Sequence, residues 1–498
     1  MDHFRALLGA LNKTERRYVG LRLKHATGGS KDRGHELFRL LSAHPSEDDV
    51  ALAKRLGYAS QSAFSTRKHD VLQRVLLALV DYDAGRHERL RILREVAIIR
   101  ALNDRGQAAL AHKRLRKARK DAEELEFQQG ILLLISEERR LFYKIHSKAE
   151  WAKARAAFYS HTKDATARIA NQAFYLEKVM HLNELNGSKA ARRNEEVNRE
   201  AEALLKDPML QNEAMALSSA ARYNFLTVHR LTAELKGDEE SELAFSKRLA
   251  EHVLDPTQST SRNKLAKVLS LALYSDSQAH LGDPEDPFSI ACEQALHEMR
   301  EKELDRLTPY GYYLLMSHGG GIITAIKQKQ YRVALDRTRD AQRDIVRYPG
   351  PMMGSSHQNL HMLFAAAELL RKKYDECLTT ITGILASGDG AKRMDFYHTC
   401  LLIELIAHFE LGHDRFVASK TATLSAYFRH LDIPHQFETT FASFLGRING
   451  TAVAQRQPLW LDFVRALEVL RSDEREKVMF LTVDLLEHWV KPKSIGLT

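Results

Sequence analysis

Three short stretches combine residue types and spacings that could do chemistry. His357 and His361 stand four apart, so a helix would carry both imidazoles on one face, as in a helical metal-ligand pair. Gln358 stands where such a site needs a general-base Glu, and no third ligand follows from the spacing. The alternative is a pair of surface or core histidines. Ser317-His318-Gly319-Gly320-Gly321 has the wording of a loop that offers backbone N–H groups to an oxyanion. The Gly-x-Ser-x-Gly turn and the strands that such chemistry requires are missing. Three glycines within a helical pattern cost about 1 kcal/mol each relative to Ala. They predict a kink, or close backbone contact with a neighbouring helix or a bound peptide. Neither a Walker A loop nor a dinucleotide fingerprint occurs. Cys292, Cys377 and Cys400 are odd in number and far apart, which suits reduced thiols in a cytosol. The expectation is a protein with no catalytic residues, no metal and no cofactor.

The third stretch is Val50-Ala51-Leu52-Ala53-Lys54-Arg55-Leu56-Gly57-Tyr58-Ala59-Ser60-Gln61-Ser62-Ala63-Phe64-Ser65. Ala53 lies four residues before Gly57: a small residue lets two helices approach, and Gly permits a tight turn between them. The wording resembles the helix-turn-helix of the arabinose-regulator (AraC-type) DNA-binding domain. That resemblance implies that Ser60, Gln61, Ser62, Ser65, Arg67 and Lys68 face a groove, with Gln61 on a base edge and Arg67 on a phosphate. Read from the residues alone, the same text also suits a short helical domain in which Gly57 ends one helix and Ser60 starts the next.

The charge distribution bears on the same region. The net charge is +9, yet residues 1–150 hold 30 Lys/Arg against 20 Asp/Glu, and residues 51–120 hold 17 against 6. Such a patch draws nucleic acid, an acidic protein face or a lipid surface, or is simply a solvated helix face. Within it, Ala111, Leu115, Ala118, Ala122 and Leu125 form an apolar helical stripe, which sets Lys113, Arg116, Lys117 and Lys120 on the outer face.

The elements that would carry these residues are helical. The 498 residues are 44% hydrophobic and 28% charged, with only 25 Gly and 11 Pro, and no apolar run approaches the ~18 residues of a membrane span. Together with a start lacking a secretory pattern, this predicts a cytoplasmic protein away from membranes. Gln330-Tyr331-Arg332-Val333-Ala334-Leu335 recurs as Lys373-Tyr374-Asp375-Glu376-Cys377-Leu378 and again as Gly412-His413-Asp414-Arg415-Phe416-Val417. Further corners near 106, 150, 187, 237 and 282 give a mean stride of about 44 residues. Around them apolar residues fall three and four apart, as in Leu363, Ala366, Ala367 and Leu370.

This text resembles the tetratricopeptide repeat. The resemblance implies an all-α, right-handed α-solenoid of about eight αα-hairpins over residues 86–450. A small basic helical domain (1–85) precedes it, and capping helices (451–498), split near Arg471-Ser472-Asp473 and ending near Trp489, follow it. Stacked repeats present a long surface of rigid helices. The expected function is therefore a non-enzymatic interaction scaffold that holds a protein or peptide partner in a groove, with Tyr310, Tyr312, Tyr313 and His318 as anchors. The alternative is a DNA-binding regulator. Its arrangement resembles the peptide-sensing regulators that join a helix-turn-helix to tetratricopeptide repeats.

Overall fold

A computed structural model describes residues 2–25, 33–44, 46–145, 147–186, 194–283, 285–305, 308, 310–350, 354–386, 394–430, 436–473, 476 and 480–494. The side chains at 144–145, 281, 354–357, 394–396, 480–484 and 486 lie outside that description, as does the corner expected near 187. Among the described residues every regular element is helical, and no helix is long and apolar enough to cross a membrane. The chain divides into two compact units, Met1–Ala170 and Asn171–Thr498.

The first unit holds α1 (His3–Ala10), α2 (Lys13–His25), α3 (Arg33–Ala43), α4 (Asp49–Arg55), α5 (Gln61–Ala84), α6 (Glu88–Asp104), α7 (Ala108–Glu124) and α8 (Gln128–Ile145), and α9 (Lys148–Asn186) crosses the boundary. The carboxylate of Asp2 caps α1 by accepting from the Phe4 N–H, and Ser60 Oγ caps α5 by accepting from Ala63. Phe4, Leu37, Leu41, Leu52, Phe64 and Val71 bury one core, and Ile92, Ile99, Leu115, Ala118 and Leu134 a second. Burying each large side chain contributes about 1.5–3 kcal/mol. The stripe expected on α7 is this buried face.

The second unit continues with α10 (Glu195–Leu204), α11 (Pro208–Gln211), α12 (Ser219–Lys236), α13 (Glu239–Leu254), α14 (Lys264–Leu281), α15 (Pro287–Glu303), α16 (Gly311–Met316), α17 (His318–Lys327) and α18 (Tyr331–Arg347). There follow α19 (Gly354–Leu370), α20 (Tyr374–Ala386), α21 (Met394–Glu410), α22 (Asp414–Arg429), α23 (Gln436–Asn449), α24 (Gln457–Arg471) and α25 (Phe480–Ser494). Consecutive helices pack in pairs: α12 on α13, α14 on α15, α17 on α18, α19 on α20, α21 on α22 and α23 on α24. The first members α14, α17, α19, α21 and α23 also neighbour one another in order, which makes a row.

One corner geometry recurs. At Gly106, Glu126, Gly237, Lys329, Lys372 and Gly412 the backbone enters the left-handed region, with φ between 48° and 72°. The next residue's N–H then reaches back five residues to a helix carbonyl: Gln107 to Leu102, Phe127 to Ala122, Asp238 to Ala233, Gln330 to Ala325, Lys373 to Glu368, and His413 to His408. This is the Schellman closure, and a new helix starts immediately after it. The corners expected at 106, 237, 330, 373 and 412 are among these six.

Two expectations are corrected. No corner lies at 150, because residues 148–186 form one helix of 39 residues, about 58 Å long, and that stretch has neither Gly nor Pro to break it. A corner stands instead at Glu126. The last helix does not stop near Trp489 but runs through Pro492 to Ser494. Pro there forfeits an N–H bond in the final turn. Side-chain contacts hold that turn: Lys493 pairs with Glu410 at 2.7 Å, and Gln457 Nε2 donates to the Ser494 carbonyl.

Candidate functional site

In the first unit the turn at 50–65 forms as read. Gly57 takes φ +69°, Ala53 is buried, and α5 starts after the Ser60 cap. Gln61, Ser62 and Ser65 are exposed on the first turns of α5. Arg67 and Lys68 have other partners. Arg67 Nη1 is 2.6 Å from Asp70, and Lys68 Nζ is 2.6 Å from both Asp2 and Asp49, with its side chain only 15% exposed. Arg5 joins the same two carboxylates at 3.0 and 2.7 Å. Burial pushes the Asp2 carboxyl up, but the hydrogen bond and charge of Lys68, with Arg5, hold it below the usual range. This quartet ties α1, α4 and α5 together, so Lys68 serves the fold and is not offered to a groove. On α7, Lys113, Arg116, Lys117 and Lys120 are exposed as expected. Lys120 lies 3.9 Å from Glu124, whereas Arg114 and Arg119 on the same helix turn to Glu95 and Glu123, each at 2.6 Å.

In the second unit the expected groove anchors are packing residues. Tyr310 is buried: its hydroxyl donates to Glu303 Oε2 at 2.9 Å, and Lys264 lies over its ring. Tyr312 is buried edge-on to the half-buried Tyr313 at 5.4 Å. His318 Nε2 is 3.0 Å from Asp344 Oδ2, and its side chain is 10% exposed. Burial, aided by the charge of Arg300, lowers the His318 pKa against the pull of Asp344. The three glycines serve close approach: a Cβ on Gly320 would lie 3.1 Å from the Ser275 backbone of α14, and one on Gly321 would meet the Arg337 guanidinium. The kink falls at Ser317, between α16 and α17; its hydroxyl accepts from Arg300 at 2.5 Å.

The side chain of His357 is outside the described residues, and His361 packs its ring 5.0 Å from Phe364. Among the described residues no three His, Cys, Asp or Glu side chains gather as metal ligands. All three cysteines are buried and free, and burial pushes the Cys292 and Cys400 thiols up to about 12.

The most developed site is one that the sequence does not announce. Helix α25 lies against the row of first helices. Leu485 stands over a narrow apolar gap walled by Ile326 of α17, Met362, Leu363 and Ala366 of α19, and Thr399 and Ile403 of α21. The Tyr331 hydroxyl meets His488 Nδ1 at 2.7 Å. The Trp489 indole donates to Glu410 Oε1 at 2.7 Å, and the ring packs against Phe409, Phe441 and Trp460. Glu410 also accepts from the Tyr374 hydroxyl, whose pKa burial raises. Lys493 lies over Trp460 and Trp489. The row, together with the start of α18, thus offers an apolar middle, a hydroxyl at one end and a carboxylate beside aromatics at the other.

No protein-family model, curated protein or solved structure matches the chain.

Proposed function

We propose that this chain is a non-enzymatic interaction protein, an α-solenoid of about eight tetratricopeptide-like hairpins, whose row of first helices holds an amphipathic helix from a protein partner. The observation that carries this reading is the seat of α25. A helix with Leu485, His488, Trp489 and Lys493 along its inner side fits the row through apolar contact and three polar anchors. This is helix-in-groove recognition, in which aromatic anchors supply most of the affinity. The partner's helix would reproduce that pattern and displace α25. The repeated corners and ordered pairing favour the repeat reading.

The test is a pull-down with the chain carrying Leu485→Glu and Trp489→Ala, which frees the row while leaving α24 in place. A partner captured by this variant, weakly held by the native chain and released by a synthetic 480–494 peptide, supports the reading. Capture that the peptide does not compete overturns it.

A second reading, a DNA-binding regulator, draws on exposed Gln61, Ser62 and Ser65 after the α4–α5 turn and on the free outer face of α7. Its test is gel mobility with genomic fragments. A sequence-specific shift lost in Gln61→Ala supports it; uniform binding erased by salt counts against it.

A further inference from the structure

The first unit contains a cleft that neither reading uses. It lies between α2 and α3, has a volume of about 450 Å³, and opens to solvent. On α2, residues 16, 20 and 24 recur at helical spacing along one face; on α3, residues 35, 38, 39 and 42 do the same. Among the described residues its walls carry Arg16, Arg17, Lys24, Arg39 and His35, and no carboxylate.

Three observations separate this cleft from an ordinary basic surface. First, the part-buried cations Arg5 and Lys68 of this unit, and Arg100 and Arg114, have carboxylate partners, whereas four cations share this one cleft. Among the described residues, Arg16, Arg17, Lys24 and Arg39 form no ion pair. Like charges gathered without counter-charge repel one another, and a bound anion relieves that cost. Second, Arg16 is braced: its Nη2 donates to the carbonyls of Leu8 at 3.0 Å and Leu11 at 3.2 Å. Third, two polar atoms of the lining, Arg16 Nε and Ser42 Oγ, are buried without a hydrogen-bond partner. Buried groups of that kind are uncommon and call for one.

The rest of the lining sets the ligand class. Gly20 leaves the floor bare over the Phe38 ring, and Leu21, 47% exposed, adds an apolar wall. The volume falls in the range of small-molecule sites, roughly 300–1,000 Å³. Guanidinium forks match phosphate oxygens bidentately. We infer that the α2–α3 cleft binds a nucleoside di- or triphosphate, with its phosphates among Arg16, Arg17, Lys24 and Arg39 and its flat base over Gly20 and Leu21.

The experiment is titration calorimetry of the full chain with ATP, ADP and inorganic pyrophosphate, with a duplex oligonucleotide as competitor. The expected result is saturable ATP binding, weaker for pyrophosphate. Arg17→Glu or Arg39→Glu, both at exposed positions, should weaken it by about tenfold or more. Lys54→Glu, an exposed cation of α4 outside the cleft, should leave it unchanged. Thermal melts of each variant verify that the fold is kept, and Ser42→Ala provides a second, uncharged probe that should weaken binding severalfold. Absence of ATP binding at about 1 mM overturns the inference. So does ATP binding equal in all variants, or binding of the duplex alone.

Discussion

Glu410 and Trp489, 79 residues apart in the chain, are joined by a hydrogen bond of 2.7 Å from the indole N–H to the carboxylate. Glu410 also receives Lys493 of α25 and the Tyr374 hydroxyl of α20, so one side chain at the end of α21 fastens α25 at two points and ties it to α20.

Removing that acceptor is the first test. Glu410→Ala leaves the Trp489 N–H and the Tyr374 hydroxyl without their partner and is expected to cost about 2 kcal/mol. Urea unfolding followed by Trp fluorescence measures it, and amide exchange should show α25 opening before the helices beneath it. A variant in which α25 stays as protected as in the native chain would show that Leu485 and Val490 hold the helix alone.

The recurring corners give a prediction with opposite signs. Lys329 and Lys372 hold positive φ without being glycine, a strain of about 1 kcal/mol each. Lys329→Gly and Lys372→Gly should therefore raise the unfolding midpoint. Gly237→Ala and Gly412→Ala, where the added Cβ meets no atom but the φ is wrong, should lower it by a similar amount.

In the first unit Lys68→Met should destabilise the fold by about 1–3 kcal/mol, because Asp2 and Asp49 would keep only Arg5 between them. Gln61→Ala, on an exposed turn, should be neutral. Equal melting curves for the two variants would remove Lys68 from its structural role.

Acid should weaken the second unit before its carboxylates titrate. Burial lowers the pKa of His229, His252 and His318. Below pH 6.5 the unfolded chain takes up protons on these rings while the folded chain does not, so stability is present above that pH and falls as pH drops through it. Melting between pH 8 and 5 measures this. A Tm constant down to pH 5 would contradict the buried, neutral rings.

The buried thiols predict slow chemistry. With Cys292 and Cys400 held near pKa 12, a thiol reagent at pH 8 should modify the native chain only as fast as it unfolds, and all three cysteines at once in denaturant. Rapid labelling of the native protein would show one to be accessible.

How much of this could be read in the residues depends on the range of the force involved. Corners at 106, 237 and 412 were legible because Gly marks a left-handed turn, and those at 330 and 373 because the following Tyr begins a periodic helix. The corner at Glu126 was not, since a charged residue sits where Gly is the usual signal and Phe127 follows it. Helix α9 was misdivided because Ala149-Glu150-Trp151 has the wording of a corner without a residue that breaks helix. The aromatic run at 310–313 suggested a binding surface, whereas Glu303 one loop away, with Lys264 and Tyr348 distant in sequence, makes it interior. The seat of α25 depends on contacts spanning 79 and 157 residues, which no local pattern records.

The six turns closed by main-chain hydrogen bonds have one more consequence. Their closure uses no side-chain atom, and Glu, Lys and Gly all occupy the same slot, at about 1 kcal/mol where the residue is not Gly. Substitutions can therefore accumulate between the helices with the architecture intact, until two descendants of one ancestor share a scaffold and hardly a letter of text.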